Sequence, residues 1–129
     1  MFDFKYFTPT KVVFGKNTEA QVADLIKEFG GTKILIHYGG GSVVRSGLLR
    51  RVKESLKAEN IYFTELGGVM PNPRSGLVYE GIELCRKENV DFVLAVGGGS
   101  AIDCAKAMRY FSGRELPLIV IPTTSGSGS

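Results

Sequence analysis

Asp91-Phe92-Val93-Leu94-Ala95-Val96-Gly97-Gly98-Gly99-Ser100 is the stretch on which the fold turns. A continuous apolar run of this length, bounded by an acidic residue and by glycines, reads as a strand buried on both faces. The glycines form a tight turn, and helical spacing follows to about residue 111. The unit is strand, Gly-rich turn, helix.

The same unit recurs upstream. Lys33-Ile34-Leu35-Ile36-His37-Tyr38 is a short apolar strand and runs into Gly39-Gly40-Gly41-Ser42. The spacing then predicts a helix over residues 46–59. Leu48, Leu49, Val52 and Leu56 form its inward stripe, with Arg50, Lys53, Glu54 and Lys57 outward. Residues 61–65 read as the next strand. Gly67-Gly68-Val69-Met70-Pro71-Asn72-Pro73 is a loop, because each proline restricts the residue before it. A helix over 75–88 turns Leu77, Val78, Ile82, Leu84 and Cys85 inward. Residues 116–121 are a last strand, left by Pro122-Thr123-Thr124. Nearer the start, Thr18-Glu19-Ala20-Gln21 reads as a capping box opening a helix to about residue 29, closed by Gly30-Gly31.

Strands alternating with helices over such short connections imply a parallel sheet covered on both faces. Right-handed crossovers make this an α/β, doubly wound, Rossmann-like sheet. Residues 4–7 and 11–15 alternate aromatic and polar side chains around Pro9. They are expected to add a short N-terminal antiparallel hairpin.

Composition narrows the class. The chain has 129 residues, 43% of them hydrophobic, which fits a single domain over 1–129. It buries roughly two-thirds of the surface its unfolded form exposes. A net charge of +3 is too small for the basic footprint of a nucleic-acid binder. No run approaches the ~18 apolar residues of a membrane span, and the start lacks the pattern of a signal peptide. Cys85 and Cys104 have no metal-ligand or redox spacing, so they are expected to be packed, reduced thiols of a cytoplasmic protein. The one histidine, His37, lies inside an apolar strand and is expected to be packed and hydrogen-bonded. It has no partner that would make a metal site or a catalytic triad.

The 17 glycines are in excess. Two Gly-Gly-Gly-Ser turns fall at the carboxyl edge of the sheet, where open α/β proteins bind ligands. Glycine lets a ligand approach the backbone amides, and a helix N-terminus offers unpaired N–H groups and partial positive charge. That chemistry suits a pyrophosphate. The turns also have a plain structural explanation, since tight strand-to-helix turns need glycine. Neither turn matches G-x-G-x-x-G, because Val44 and Ile102 stand where the third glycine would fall. Ser100 is expected as an N-cap, with Asp103 in the first helical turn and Lys106 beyond it. Asn72, Thr123 and Thr124 could face the same crevice.

The order of these motifs resembles a known family. Phe14-Gly15, Gly39-Gly40-Gly41-Ser42-Val43, Pro71-Asn72-Pro73, Gly97 to Lys106 and Pro122-Thr123-Thr124-Ser125-Gly126-Ser127-Gly128-Ser129 are similar to the N-terminal half of the iron-containing (group III) alcohol dehydrogenases. The butanol dehydrogenase and aldehyde reductase branch is the nearest. The resemblance implies hydride transfer between a primary alcohol or aldehyde and NAD(P). It implies that Gly98, Gly99 and Ser100 cradle the pyrophosphate, with Asp103 near the nicotinamide. Asn72, Thr123 and Thr124 would line the cleft, and Gly39, Gly40 and Ser42 would lie by the adenosine ribose. Family members with an aspartate near that first turn favour NAD. Here glycine and serine stand there, with Arg45 in reach, so NADP is expected. Glu65 is the counter-candidate, as a carboxylate able to bind ribose hydroxyls.

The resemblance also implies an Fe or Zn ion on one Asp and three His of a C-terminal helical domain, absent from this sequence. The expectation is a cofactor-binding half, inactive alone. The alternative is a stand-alone nucleotide- or phosphate-binding module without catalysis. Exposed apolar surface at the carboxyl edge makes a homo-oligomer an open expectation. The short connection between Met108 and Leu116 resembles the glycerol dehydrogenase and maleylacetate reductase relatives instead, and leaves the substrate open.

Overall fold

The structure is a computed structural model, and it describes residues 10–12, 18–39, 41–67, 75–111 and 116–122. In chain order the elements are β1 (Thr10–Val12), α1 (Thr18–Glu28), β2 (Lys33–Tyr38), α2 (Gly41–Arg45), α3 (Leu48–Ala58), β3 (Tyr62–Leu66), α4 (Ser75–Lys87), β4 (Phe92–Gly97), α5 (Gly99–Phe111) and β5 (Leu118–Pro122). Among the described residues the sheet has five strands in the order β1-β5-β4-β2-β3, every pair parallel.

Burial follows the two-residue period of the strands. Ile34, Ile36, Phe92, Leu94, Val96, Ile119 and Ile121 face one side, against Val22 and Ile26 of α1 and Val52 and Leu56 of α3. Leu35, Val93, Ala95, Leu118 and Val120 face the other side, against Cys85 of α4 and Cys104, Ala105 and Met108 of α5. Both faces of β4 are therefore inside, which is why its sequence is apolar without alternation. Truncating a buried side chain such as Leu94 to alanine would cost about 2–5 kcal/mol. The helix-on-helix contact of α4 and α5 is close. A Cβ at Gly81 would collide with the thioether of Met108. Both cysteines are buried, and burial pushes the Cys104 thiol up.

Three helices end alike at the amino edge of the sheet. A left-handed residue stands after α1, α3 and α4: Gly30, Asn60 and Asn89. In each case the next amide reaches back to the last turn: Gly31 to Ile26, Ile61 to Leu56 and Val90 to Cys85, at 2.8–2.9 Å. These bonds satisfy carbonyls the helix leaves open and deliver the chain into β2, β3 and β4. The same edge is clasped by Asp91. Its carboxylate accepts from the Thr32 amide, the Thr32 hydroxyl and the Lys33 amide at 3.0, 2.6 and 3.0 Å. Burial works to raise its pKa, but these bonds outweigh it and hold the carboxyl below its usual range.

Two expectations need correction. The stretch at 10–12 is not an appendage, because β1 is an edge strand of the main sheet, paired in parallel with β5. The antiparallel hairpin is not shown, and residues 4–7 lie outside the described residues. The helix expected over 46–59 is α3, but it is preceded, across Gly47, by a short helix α2 where only a turn was expected. Burial of Val43 draws the earlier turn into helix.

Candidate functional site

The strand order creates a crevice. The chain leaves β2 through α2 and α3 on one face and goes to β3 on one side. It leaves β4 through α5 on the opposite face and goes to β5 on the other side. The carboxyl ends of β2 and β4 are neighbours, and their exits diverge. This is the topological switch point at which open α/β sheets bind ligands.

Both Gly-rich turns meet there. The Gly39 amide donates to the Val96 carbonyl at 3.3 Å. Gly97 is fully enclosed with φ +146°, a backbone state side chains rarely adopt. A Cβ on it would press on Ala101 at 3.2 Å and on the Gly39 backbone at 3.4 Å. Gly97 is thus required by the protein itself. Gly98 and Gly99 are different. Neither has a positive φ, both are exposed, and a Cβ on either would meet nothing within 4 Å. No packing or backbone requirement among the described residues calls for glycine at these two positions.

α5 begins at Gly99, and its first ladder bond runs from the Ile102 amide to the Gly98 carbonyl at 3.1 Å. Gly98 is therefore the N-cap, and Ser100 is inside the helix, which corrects the N-cap expected at Ser100. The amides of Gly99, Ser100 and Ala101 precede that first bond and point out of the helix end. The partial positive charge of a 13-residue helix adds to them. Its first turn carries no acidic residue. Asp103 lies one turn further in and is exposed, so it does not load the helix end with negative charge. The first-turn placement expected for it is corrected accordingly. Ser42 lies in α2 beside the other turn, and Ser42 and Ser100 are placed by backbone alone. Gly40, Asn72, Thr123 and Thr124 lie outside the described residues.

The β3 side carries one pair that sequence reasoning missed, Tyr38 and Gly67. The Glu65 carboxylate is held by Lys53 of α3 at 3.1 Å. It is engaged along the helix rather than free at the strand end. Past β3, Gly67 faces Tyr38, and a Cβ there would lie 2.6 Å from the Tyr38 hydroxyl and against its ring. The signal for this pair was in the sequence only once the β2–β3 register was known, with His37 opposite Leu66. His37 itself is fully buried, and its Nδ1 donates to the Leu66 carbonyl at 2.9 Å. Burial lowers its pKa more than this bond raises it, so the ring is held neutral.

A shallow pocket of about 280 Å³ lies at the α2–α3 elbow, lined by Val44, Gly47, Leu49, Arg50 and Lys53. Its cations are already engaged, Lys53 with Glu65 and Arg50 with Glu54. Among the described residues no helix is long and apolar enough to cross a membrane. No three His, Cys, Asp or Glu side chains converge there as metal ligands.

Comparison with known proteins agrees with this architecture. Residues 9–129 match the family described as iron-containing alcohol dehydrogenase. The whole chain is 46% identical to NADH-dependent butanol dehydrogenase A of Clostridium acetobutylicum and covers 37% of it. Over 84% of its length it is 51% identical to a probable NADH-dependent butanol dehydrogenase of Bacillus subtilis, of which it covers 27%. An NADPH-dependent aldehyde reductase of Escherichia coli is 40% identical over 82% of the chain, which spans 26% of it. The crystal structure of a butanol dehydrogenase from Thermotoga maritima superposes with a TM-score of 0.78 at 37% identity, over 95% of this chain and 35% of that one. The chain thus spans about a quarter to two-fifths of the length of these relatives.

Proposed function

The chain belongs to the iron-containing alcohol dehydrogenase family, and on that premise we propose that it binds a nicotinamide dinucleotide across the carboxyl ends of β2 and β4. The observation that carries this reading is the open space at Gly98 and Gly99, where glycine serves no packing or backbone need of the described residues. A pyrophosphate fits that space. The amides of Gly99, Ser100 and Ala101 would donate to its oxygens, and the α5 dipole would favour its charge. Gly39, Gly40 and Ser42 would lie along the adenosine ribose. Asp103 would stand toward the nicotinamide, with Asn72, Thr123 and Thr124 along the cleft. When bound, the nicotinamide supplies or takes the hydride that interconverts a primary alcohol and its aldehyde.

The family name implies iron. The described residues bring no set of ligands together for it. They do not fit a metal, so no step of the proposed role runs through one here. On this reading residues 1–129 act as one cofactor-binding unit, and turnover is not expected from these residues alone.

NADP(H) is the preferred cofactor in this proposal. An ordinary dinucleotide fold uses an acidic side chain at the end of the second strand to bind the ribose 2′-hydroxyl, and that charge would repel a 2′-phosphate. Here β2, the strand beside β4, ends at Tyr38 and runs into Gly39 with no acidic side chain, and Glu65 of β3 is tied to Lys53. Overall similarity does not argue for this choice, because the relatives named for NADH are the more identical ones. The geometry is its support.

Fluorescence titration with NADPH and NADH tests the reading. Saturable binding, tighter for NADPH, is expected. No saturation up to millimolar for either would overturn dinucleotide binding. Equal or reversed affinities would overturn the cofactor choice alone. Steady aldehyde reduction by this chain would overturn the assignment of a binding role without turnover.

A further inference from the structure

We propose that Tyr38 is a specificity-determining residue for the cofactor, its phenol hydroxyl donating a hydrogen bond to the 2′-phosphate of the adenosine ribose. The inference deepens the dinucleotide reading and rests on it. Three observations converge on this residue. First, Tyr38 is the last residue of β2, directly before the turn whose Gly39 amide bonds Val96 at the switch point. Second, its ring lies over Gly67, with the hydroxyl 2.6 Å from where a Cβ of residue 67 would stand. Residue 67 follows the end of β3. In dinucleotide folds the carboxylate that grips the ribose ends the strand beside the one carrying the pyrophosphate turn. Here that strand is β2, beside β4, and Tyr38 ends it, so the phenol stands in the place of that carboxylate. Third, Tyr38 is only half-buried, and among the described residues its hydroxyl makes no hydrogen bond.

Chemistry separates the two occupants of that place. A carboxylate accepts hydrogen bonds and carries negative charge, so it suits a ribose hydroxyl and rejects a phosphate. A phenol is neutral and can donate, so it suits a phosphate oxygen. The same-face neighbour Glu65 is drawn along α3 by Lys53, which keeps its charge engaged. Replacing Tyr38 by phenylalanine removes the donor and keeps the ring that packs on Gly67. The fold is therefore expected to survive.

The test compares wild type with Tyr38→Phe in binding NADPH, NADH, 2′,5′-ADP and 5′-AMP by calorimetry, with thermal melting alongside. Wild type should bind 2′,5′-ADP more tightly than 5′-AMP. Tyr38→Phe should lose about tenfold or more for NADPH and 2′,5′-ADP, as expected for a hydrogen bond to a charged group. NADH and 5′-AMP affinities and the melting temperature should not move. If wild type binds no dinucleotide, the proposed function itself fails, and this inference with it. If wild type binds NADPH and Tyr38→Phe binds it equally well, or loses all four ligands alike, only the role of Tyr38 falls.

Discussion

The imidazole of His37 donates from Nδ1 to the backbone carbonyl of Leu66 at 2.9 Å, joining β2 to β3 through a side chain. A carbonyl can only accept, so the bond fixes the proton on Nδ1. Nε2 then carries a lone pair, is buried, and has no partner among the described residues. Protonating it would place a charge in an apolar core between Leu66 and Ala95, the strand neighbours of His37.

Stability should therefore fall on mild acidification. The folded pKa of His37 lies below its ordinary value of 6.5, chiefly through burial. The unfolded chain then binds more protons below that pH, and stability declines as pH drops from about 6.5 toward the folded pKa. Urea unfolding at pH 8 and pH 5.5 measures this. The wild-type midpoint should drop, and His37→Leu should flatten the difference. An equal drop in both proteins would remove His37 as its source.

Asp91 should act at lower pH and with the same sign. Its folded pKa is depressed, so its contribution is present above the ordinary value of 3.8 and is lost as pH falls through the folded pKa. Asp91→Asn cannot accept from three donors in the same way. We expect a loss of about 1–2 kcal/mol at pH 7, shrinking below pH 4. Denaturant curves at pH 7 and pH 3.5 check both halves of this expectation.

Gly97 and Gly98 should separate stability from binding. Gly97→Ala forces a side chain into φ +146° and against Ala101 and Gly39. A cost of about 1–3 kcal/mol is expected, read as a lowered thermal midpoint with or without cofactor.

Gly98→Val should do the reverse. Nothing in the described structure lies within 4 Å of its Cβ position, so melting should be near wild type. The branched side chain would occupy the space proposed for the pyrophosphate, and NADPH affinity should fall at least tenfold. Wild-type affinity in this variant would take the second turn out of the site.

The sequence made the repeating units legible because their signals are local. The apolar run at Lys33–Tyr38 and the stripe of Ser75–Lys87 needed no knowledge of the rest of the chain. The crevice was legible too, since alternating strands and helices dictate its edge. What local patterns could not convey was pairing. β1 is three residues long with no periodicity, and its partner is at the other end of the described chain. The start of α5 at Gly99 runs against helix propensity, so Ser100 drew the N-cap reading and Asp103 was set one turn too near the phosphate. Tyr38 and Gly67 are each unremarked in sequence and acquire meaning only from the β2–β3 register.

The pairing of β1 with β5 has a consequence for how the chain is made. Thr10 lies opposite Leu118, more than a hundred residues later. During vectorial synthesis β1 emerges first and stays without its partner until nearly all of the described chain has followed. β2, β3 and β4 can assemble among themselves in the meantime, but β4 keeps one edge open until β5 arrives. Such late, long-range closure is slow, and an open strand edge invites other chains. The last strand is thus the step that closes the sheet for its own neighbour and for the first strand at once.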